Sequence, residues 1–186
     1  GPMWRFSEEN AVSFATRTDE RKRLSGFAGF IYSQAKENHF SMKQFQFGLT
    51  YQPIDALTLT FSPEYSIRPN KTQYVTETSI NSEPRYIMGT IDNNTLSASL
   101  RINYTVNPNL TIQYYGQPFV SNGIYSNFKY VTDATADQLS DRFQLFDSAQ
   151  IEYSNTSNSY QIDEDRDGAI DYSFGKPDFS VVQFRS

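Results

Sequence analysis

The chain has 186 residues, a formal net charge of −5 and no cysteine. It therefore suits one domain, has no disulfide or thiolate chemistry, and is not expected to bind nucleic acid, which requires a basic surface to neutralise phosphate. No run of about eighteen apolar residues occurs, which excludes a transmembrane helix while leaving a membrane β-barrel open.

Gly1-Pro2 ahead of Met3 reads as a remnant of protease cleavage and is set aside. Residues 4–186 are expected to form a single β domain, a portion of a larger protein. Residues 4–23 carry much charge and little periodicity, so they read as an irregular arm, with Arg17, Arg21, Lys22 and Arg23 in a solvated loop. A first strand is expected over 24–34. Lys36-Glu37-Asn38-His39 breaks it, and Phe45, Phe47, Leu49 and Tyr51 resume the two-residue alternation. After the turn residues Pro53-Ile54-Asp55-Ala56, Leu57, Leu59 and Phe61 alternate with Thr58, Thr60 and Ser62.

Arg68-Pro69-Asn70-Lys71 reads as a turn, 73–79 as a short strand, Asn81-Ser82-Glu83-Pro84 as a turn and 85–91 as a strand. The clearest alternation follows. From 95 to 106 the even positions are Leu96, Ala98, Leu100, Ile102, Tyr104 and Val106, and the odd ones Thr95, Ser97, Ser99, Arg101, Asn103 and Thr105. Successive side chains on a strand point to opposite sides, so this strand has one apolar and one polar face. Asn107-Pro108-Asn109 turns the chain, and Leu110, Ile112 and Tyr114 return it as a hairpin. At a constant offset of 53 residues, Leu49-Thr50-Tyr51 and Leu57-Thr58-Leu59-Thr60-Phe61 match Ile102-Asn103-Tyr104 and Leu110-Thr111-Ile112-Gln113-Tyr114. Repeated short-turned hairpins belong to meanders and up-and-down barrels.

Beyond 117 the pattern changes: 118–126 is loop-like, 128–131 a strand, 137–146 one or two helical turns, and 149–153 a strand. The fold class expected is all-β, antiparallel hairpins forming a barrel or strongly curved meander sheet, with about eight to ten strands given usual strand lengths.

The sharpest chemical motif is Asp163-Glu164-Asp165-Arg166-Asp167-Gly168-Ala169-Ile170-Asp171. Carboxylates at positions one, three and five, glycine at six and an acid at nine match the start of a calcium loop, which curls oxygens around one ion. Asp163, Asp165, Asp167 and Asp171 are the candidate calcium ligands. Position twelve, where a bidentate Glu belongs, is Phe174. The competing reading is an acidic hairpin tip, with Tyr160 and Ile162 before it and Ile170, Tyr172 and Phe174 after it in strand alternation. No nucleophile elbow, phosphate-binding glycine loop or paired-histidine motif is present. His39 is the only histidine and reads as solvated or packed. The pairs Glu64 with Glu77, and Asp92 with Glu83, are the weak candidates for a glycan-hydrolase acid pair. Tyr114, Tyr115, Phe119, Tyr125, Phe128 and Tyr130 are either rings for stacking on sugar or rings that pack a loop onto a sheet.

The run 89–119, from Gly89-Thr90-Ile91-Asp92-Asn93-Asn94 through Asn107-Pro108-Asn109-Leu110 to Gly116-Gln117-Pro118-Phe119, together with the motif through Phe174 and Pro177-Asp178-Phe179, resembles the C-terminal region of a Bacteroidetes envelope family. Its members join an N-terminal family-9-like carbohydrate-binding domain to an uncharacterised C-terminal domain regarded as an outer-membrane β-barrel. The resemblance covers most of 40–186. It implies an exported, membrane-associated protein with a role in glycan handling. The leading expectation is a non-enzymatic portion of a bacterial outer-membrane barrel with a transport or glycan-handling role, partnered by lipid or by other strands of its parent. The alternative is a soluble periplasmic or extracellular β-sheet module that binds calcium, with carbohydrate as its second candidate ligand. Leu96, Leu100, Ile102, Leu110 and Ile112 separate the two: facing lipid in the first, buried within the chain in the second.

Overall fold

The computed structural model describes residues 8–186; the cleavage remnant and the first residues of the arm lie outside them. Eleven strands are present among the described residues: β1 (Glu9–Arg17), β2 (Leu24–Ala35), β3 (Ser41–Ile54), β4 (Leu57–Ile80), β5 (Glu83–Asn107), β6 (Leu110–Val131), β7 (Phe143–Leu145), β8 (Ile151–Ser154), β9 (Ser159–Ile162), β10 (Tyr172–Gly175) and β11 (Phe179–Arg185). The fold is all-β, as the alternation requires.

The main sheet runs β1-β2-β3-β4-β5-β6-β11, with β7 pairing the end of β6, and every pairing is antiparallel. It is an open meander and does not close into a barrel: β1 and β11 are its edges. The 53-residue repeat is realised as two equivalent hairpins. Ile54 pairs Leu57 across Asp55-Ala56, and Asn107 pairs Leu110 across Pro108-Asn109.

Three expectations are corrected. The arm at 4–23 contains β1, an edge strand exposed along its whole length. Only Val12 and Phe14 mark its apolar side, too few to stand out among Glu8, Glu9, Asn10 and Arg17. The turn at 68–71 is a bulge within one continuous strand, β4. The register shifts between Asn70 and Gln73, and the Lys71 N–H leaves the ladder to donate to the His39 carbonyl at 2.6 Å. Bulges use the same Pro and Asn chemistry as turns, which is why sequence does not separate them here. Residues 118–126 are likewise strand rather than loop, continuous within β6 and held there by regular pairing with β5, from Ser97 with Phe119 to Thr90 with Ser126. The turn at Asn81-Ser82 is present, both residues having positive φ of 51° and 68°, as a tight two-residue hairpin demands. The helical turns expected at 137–146 reduce to a single 3-10 turn, Leu139–Arg142.

A second sheet, β10-β9-β8, covers the far ends of β4, β5 and β6. Between them lies a core of Ile87, Phe128, Phe146, Ile162, Tyr172 and Phe174, flanked by Val75, Ile80, Tyr125, Tyr130, Ile151 and Tyr160. Ile87 and Ile162 are 0% exposed. Each such side chain contributes roughly 1.5–3 kcal/mol by leaving water. This cap is the only part of the described residues built like a globular interior.

Candidate functional site

The main sheet has no such interior. Directly opposed residues on neighbouring strands share a face, and the register lines up Phe14, Phe30, Phe45, Tyr65, Leu96, Val120 and Val182 across all seven strands. Two further rows on that face are Gly26, Leu49, Phe61, Leu100 and Gly116, and Leu24, Tyr51, Leu59, Ile102 and Tyr114. Nothing in the described residues covers them: Leu96 is 51% exposed, Ile112 53% and Val182 75%. Leu100 and Leu110 are exposed as well, and Ile102 is half-buried. The soluble alternative required these residues to be buried within the chain, and they are not.

The belt has edges. Just above its aromatic row the register brings Lys43, Ile67, Asn94, Asn122 and Ser180 together, a largely polar rim. Below, it ends at Leu57, Tyr104 and Ile112 beside the short turns. On β4, β5 and β6 it occupies 57–65, 96–104 and 112–120, nine residues on each strand. Tyr51, Tyr104 and Tyr114 lie toward its lower edge, and Phe14, Phe30, Phe45 and Tyr65 along its upper one.

The opposite face is polar. Gln44, Ser66, Thr95 and Ser121 form one row, and Gln46, Glu64, Ser97, Phe119 and Gln183 another. Thr95 and Ser121 share a hydroxyl hydrogen bond of 2.8 Å, Gln46 donates to Glu64 at 3.1 Å, and the Arg101 guanidinium lies 5.1 Å from the Tyr115 ring centre. A depression of about 380 Å³ on this face is lined by Arg17, Ser25, Phe27, Gln46, Thr60, Ser62 and Glu64 among others.

The two ends of the sheet differ. At the lower end the connections are short, 18–23, 55–56 and 108–109. At the upper end β4 and β5 project well past the belt, and residues 132–178 form the cap before the chain returns as β11.

The acidic loop joins β9 to β10 at the surface of this cap. Carboxylate oxygens of Asp163, Asp165 and Asp171 lie within 4.8 Å of one another, a separation compatible with one ion, since oxygens about 2.3–2.6 Å from a shared calcium lie no more than about 5 Å apart. Arg166 and Gly168 take positive φ, 65° and 90°, and bend the loop. Asp163 accepts the Gly168 N–H at 2.9 Å and the Asp167 N–H at 3.1 Å, and Asp171 accepts the Glu164 N–H at 2.7 Å. Asp167, the fourth candidate, is outside the cluster, its carboxylate accepting the Ala169 N–H at 2.8 Å. Phe174, at the twelfth position, belongs to the cap core.

Sequence reasoning passed over Glu164, which points the other way. It pairs with Arg85 at 2.7 Å and accepts the Tyr172 hydroxyl at 2.6 Å, fastening the loop to the β4–β5 hairpin. Burial first and then this carboxylate push the Tyr172 phenol above its ordinary range, so it remains a donor. Lys129 was also missed. It lies on the part of β6 beyond the belt, is 3% exposed, and donates to the Lys71 carbonyl at 2.5 Å. Burial, with Lys71 nearby, lowers its pKa to about 8.

The hydrolase pairs are not brought together. Glu64 and Glu77 lie on the same strand, β4, and Asp92 and Glu83 both on β5. At roughly 3.3 Å per residue these separations greatly exceed the ~5–9.5 Å that glycoside hydrolysis uses. Of the loop aromatics, Phe128 is core, and Tyr125 and Tyr130 pack on it. Tyr114 is in the belt, and Tyr115 is on the polar face. His39 sits in the connection before β3, its ring 3.0 Å from the Lys36 carbonyl.

The fold and its surfaces thus define an open antiparallel β-meander with an uncovered apolar belt, a polar reverse face and a small capping sheet. A family model described as a domain of unknown function (DUF5916) matches residues 1–165, and the chain belongs to that family. No curated protein and no solved structure matches it.

Proposed function

We propose that this chain forms a section of the wall of a bacterial outer-membrane β-barrel, its apolar belt against lipid and its polar face toward the lumen, with no catalytic role. The observation that carries this reading is the exposed belt itself: one apolar row in register across seven strands and two more across β2 to β6, nine residues deep on β4 to β6. A tilted membrane-spanning strand needs about 9–11 residues. Soluble proteins rarely leave so large a contiguous apolar surface in water. Aromatic residues toward both margins, and short connections at one end against projecting strands and the long 132–178 excursion at the other, are further features of such barrels. The lumenal face, rich in hydroxyl and amide groups, suits passage or handling of polar solutes such as glycans. Size-exclusion chromatography decides the matter: the chain is expected to need detergent to remain monodisperse, and a stable monomer in plain buffer would contradict the reading.

A second reading, calcium binding at the surface of the cap, rests on the convergence of Asp163, Asp165 and Asp171. With only three clustered carboxylates and no twelfth-position acid, the expected affinity is weak, in the ~10⁻⁴–10⁻³ M range of extracellular modules. Calorimetry with millimolar calcium tests it; no heat, and no change in melting temperature on adding chelator, would remove it.

A further inference from the structure

From the directions of the edge strands we infer that this wall is completed by an odd number of additional β-strands, contributed by polypeptide other than residues 8–186, and neither by its own closure nor by a ring of copies. The inference rests on the membrane reading above. In hydrocarbon an unpaired backbone N–H or C=O is costly, so the free edges of a sheet that spans a bilayer draw in either water or further strands.

Both edges lie within the belt. On β1, Val12 and Phe14 are exposed, and on β11, Val182 and Phe184; Phe14 and Val182 terminate the same row at its two ends. Each edge strand therefore presents an unpaired backbone at the depth where lipid would lie.

Six successive antiparallel pairings separate β1 from β11. Six reversals restore the original direction, so β1 and β11 both run from the capped end toward the short-turn end. Joining them directly would create a parallel seam in an otherwise antiparallel wall. Copies arranged around an axis along the barrel meet in the same way, β11 of one against β1 of the next, again parallel. A two-fold axis in the membrane plane would pair β1 with β1 antiparallel. It would also invert one copy and carry its cap, including the salt-bridged Arg85 and Glu164, to the opposite side of the membrane. An odd number of inserted strands restores antiparallel pairing at both edges and gives an even total, the arrangement of single-chain bacterial barrels. The pairing strands should carry apolar side chains outward and polar ones inward, matching Phe14 and Ser13 on one edge and Val182 and Gln183 on the other.

The absence of cysteine from the sequence makes the test clean. The unmodified chain, and double variants Ser13→Cys with Val181→Cys and Ser13→Cys with Gln183→Cys, are folded into phosphatidylcholine vesicles and recovered by flotation. They are then treated with a flexible bismaleimide, and amide hydrogen exchange is followed on the unmodified chain. The expected result is no β1–β11 link within or between chains, and exchange of β1 and β11 amides at least tenfold faster than those of β4 and β5. A link within one chain, a link between two chains, or edge amides as protected as β4 and β5 in the floated protein would overturn the inference while leaving the membrane reading intact. Failure to float would remove the membrane reading and this inference with it.

Discussion

The cap and the wall are made of the same strands yet obey different rules. Where β4, β5 and β6 pass beyond the belt, their side chains meet a second sheet, and Ile87 and Ile162 lose all contact with solvent. About thirty ångströms of the same ladder, nine residues at roughly 3.3 Å each, have no second layer at all. Phe61 and Leu100 oppose one another on the sheet surface with nothing above them. Sheets in water bury one face against another element. The cap satisfies this internally, whereas the wall has to satisfy it with something outside the chain. On the proposed reading the two regions have two roles: the cap holds the projecting hairpin in place, and the wall serves as a boundary.

The sharpest way to break the comparison is to empty the cap. Ile162→Ala removes a fully buried side chain and should cost about 2–5 kcal/mol, read as loss of exchange protection in β8 to β10 and the 75–89 hairpin. Exchange in 96–104 should be unaffected if the two regions are independent. Next in size, Leu100→Arg on the belt should cost about 2–4 kcal/mol in a bilayer, where the side chain would sit near the midplane. At an exposed site in water the same substitution should change stability by less than about 0.5 kcal/mol. Unfolding in vesicles by denaturant separates these outcomes.

The pH response belongs to the cap end of β6. Folding lowers the Lys129 pKa from its ordinary 10.5 to about 8, so the folded state releases its proton before the unfolded state does. The penalty for burying the charge is present in full below pH about 8. It is relieved as pH rises toward 10.5, and stability should increase across that window. Lys129→Met should flatten this part of the melting-temperature profile. The smallest expected effect is at the hairpin tip, where Ser82 has a φ of 68°. Ser82→Gly should stabilise the hairpin by up to about 1 kcal/mol, because glycine adopts this conformation without steric cost; thermal unfolding would reveal it.

Where one face of a strand is consistently polar, the sequence is easily read. Ser97, Ser99 and Arg101 between Leu96, Leu100 and Ile102 marked the 95–106 part of β5, which is one strand with the 85–91 segment read separately, and the 53-residue offset located both two-residue turns. Legibility failed where the chain leaves the simple alternation. Pro69-Asn70-Lys71 carries turn chemistry but is held in the strand by cross-strand pairing, Pro69 with Asp92 and Asn70 with Ile91, and β1 has too few apolar residues to show a period. In the acidic loop, the spacing motif contains the three carboxylates that lie together, Asp163, Asp165 and Asp171. It could not reveal that Asp167 turns to the Ala169 amide two residues on, or that Glu164 reaches Arg85, which depends on how the loop seats on the hairpin. Periodicity also left open whether the belt meets a core or lies uncovered, because both arrangements demand the same alternation.

The central claim, that the belt faces lipid and the reverse face does not, is tested most directly by single fluorescent labels on the cysteine-free background. With the chain in vesicles, labels placed through Leu100→Cys and Ile112→Cys should be quenched by lipids brominated on their acyl chains and protected from aqueous iodide. Labels one residue away, through Ser99→Cys and Gln113→Cys, should show the opposite pattern. Equal iodide access at all four positions would contradict the account.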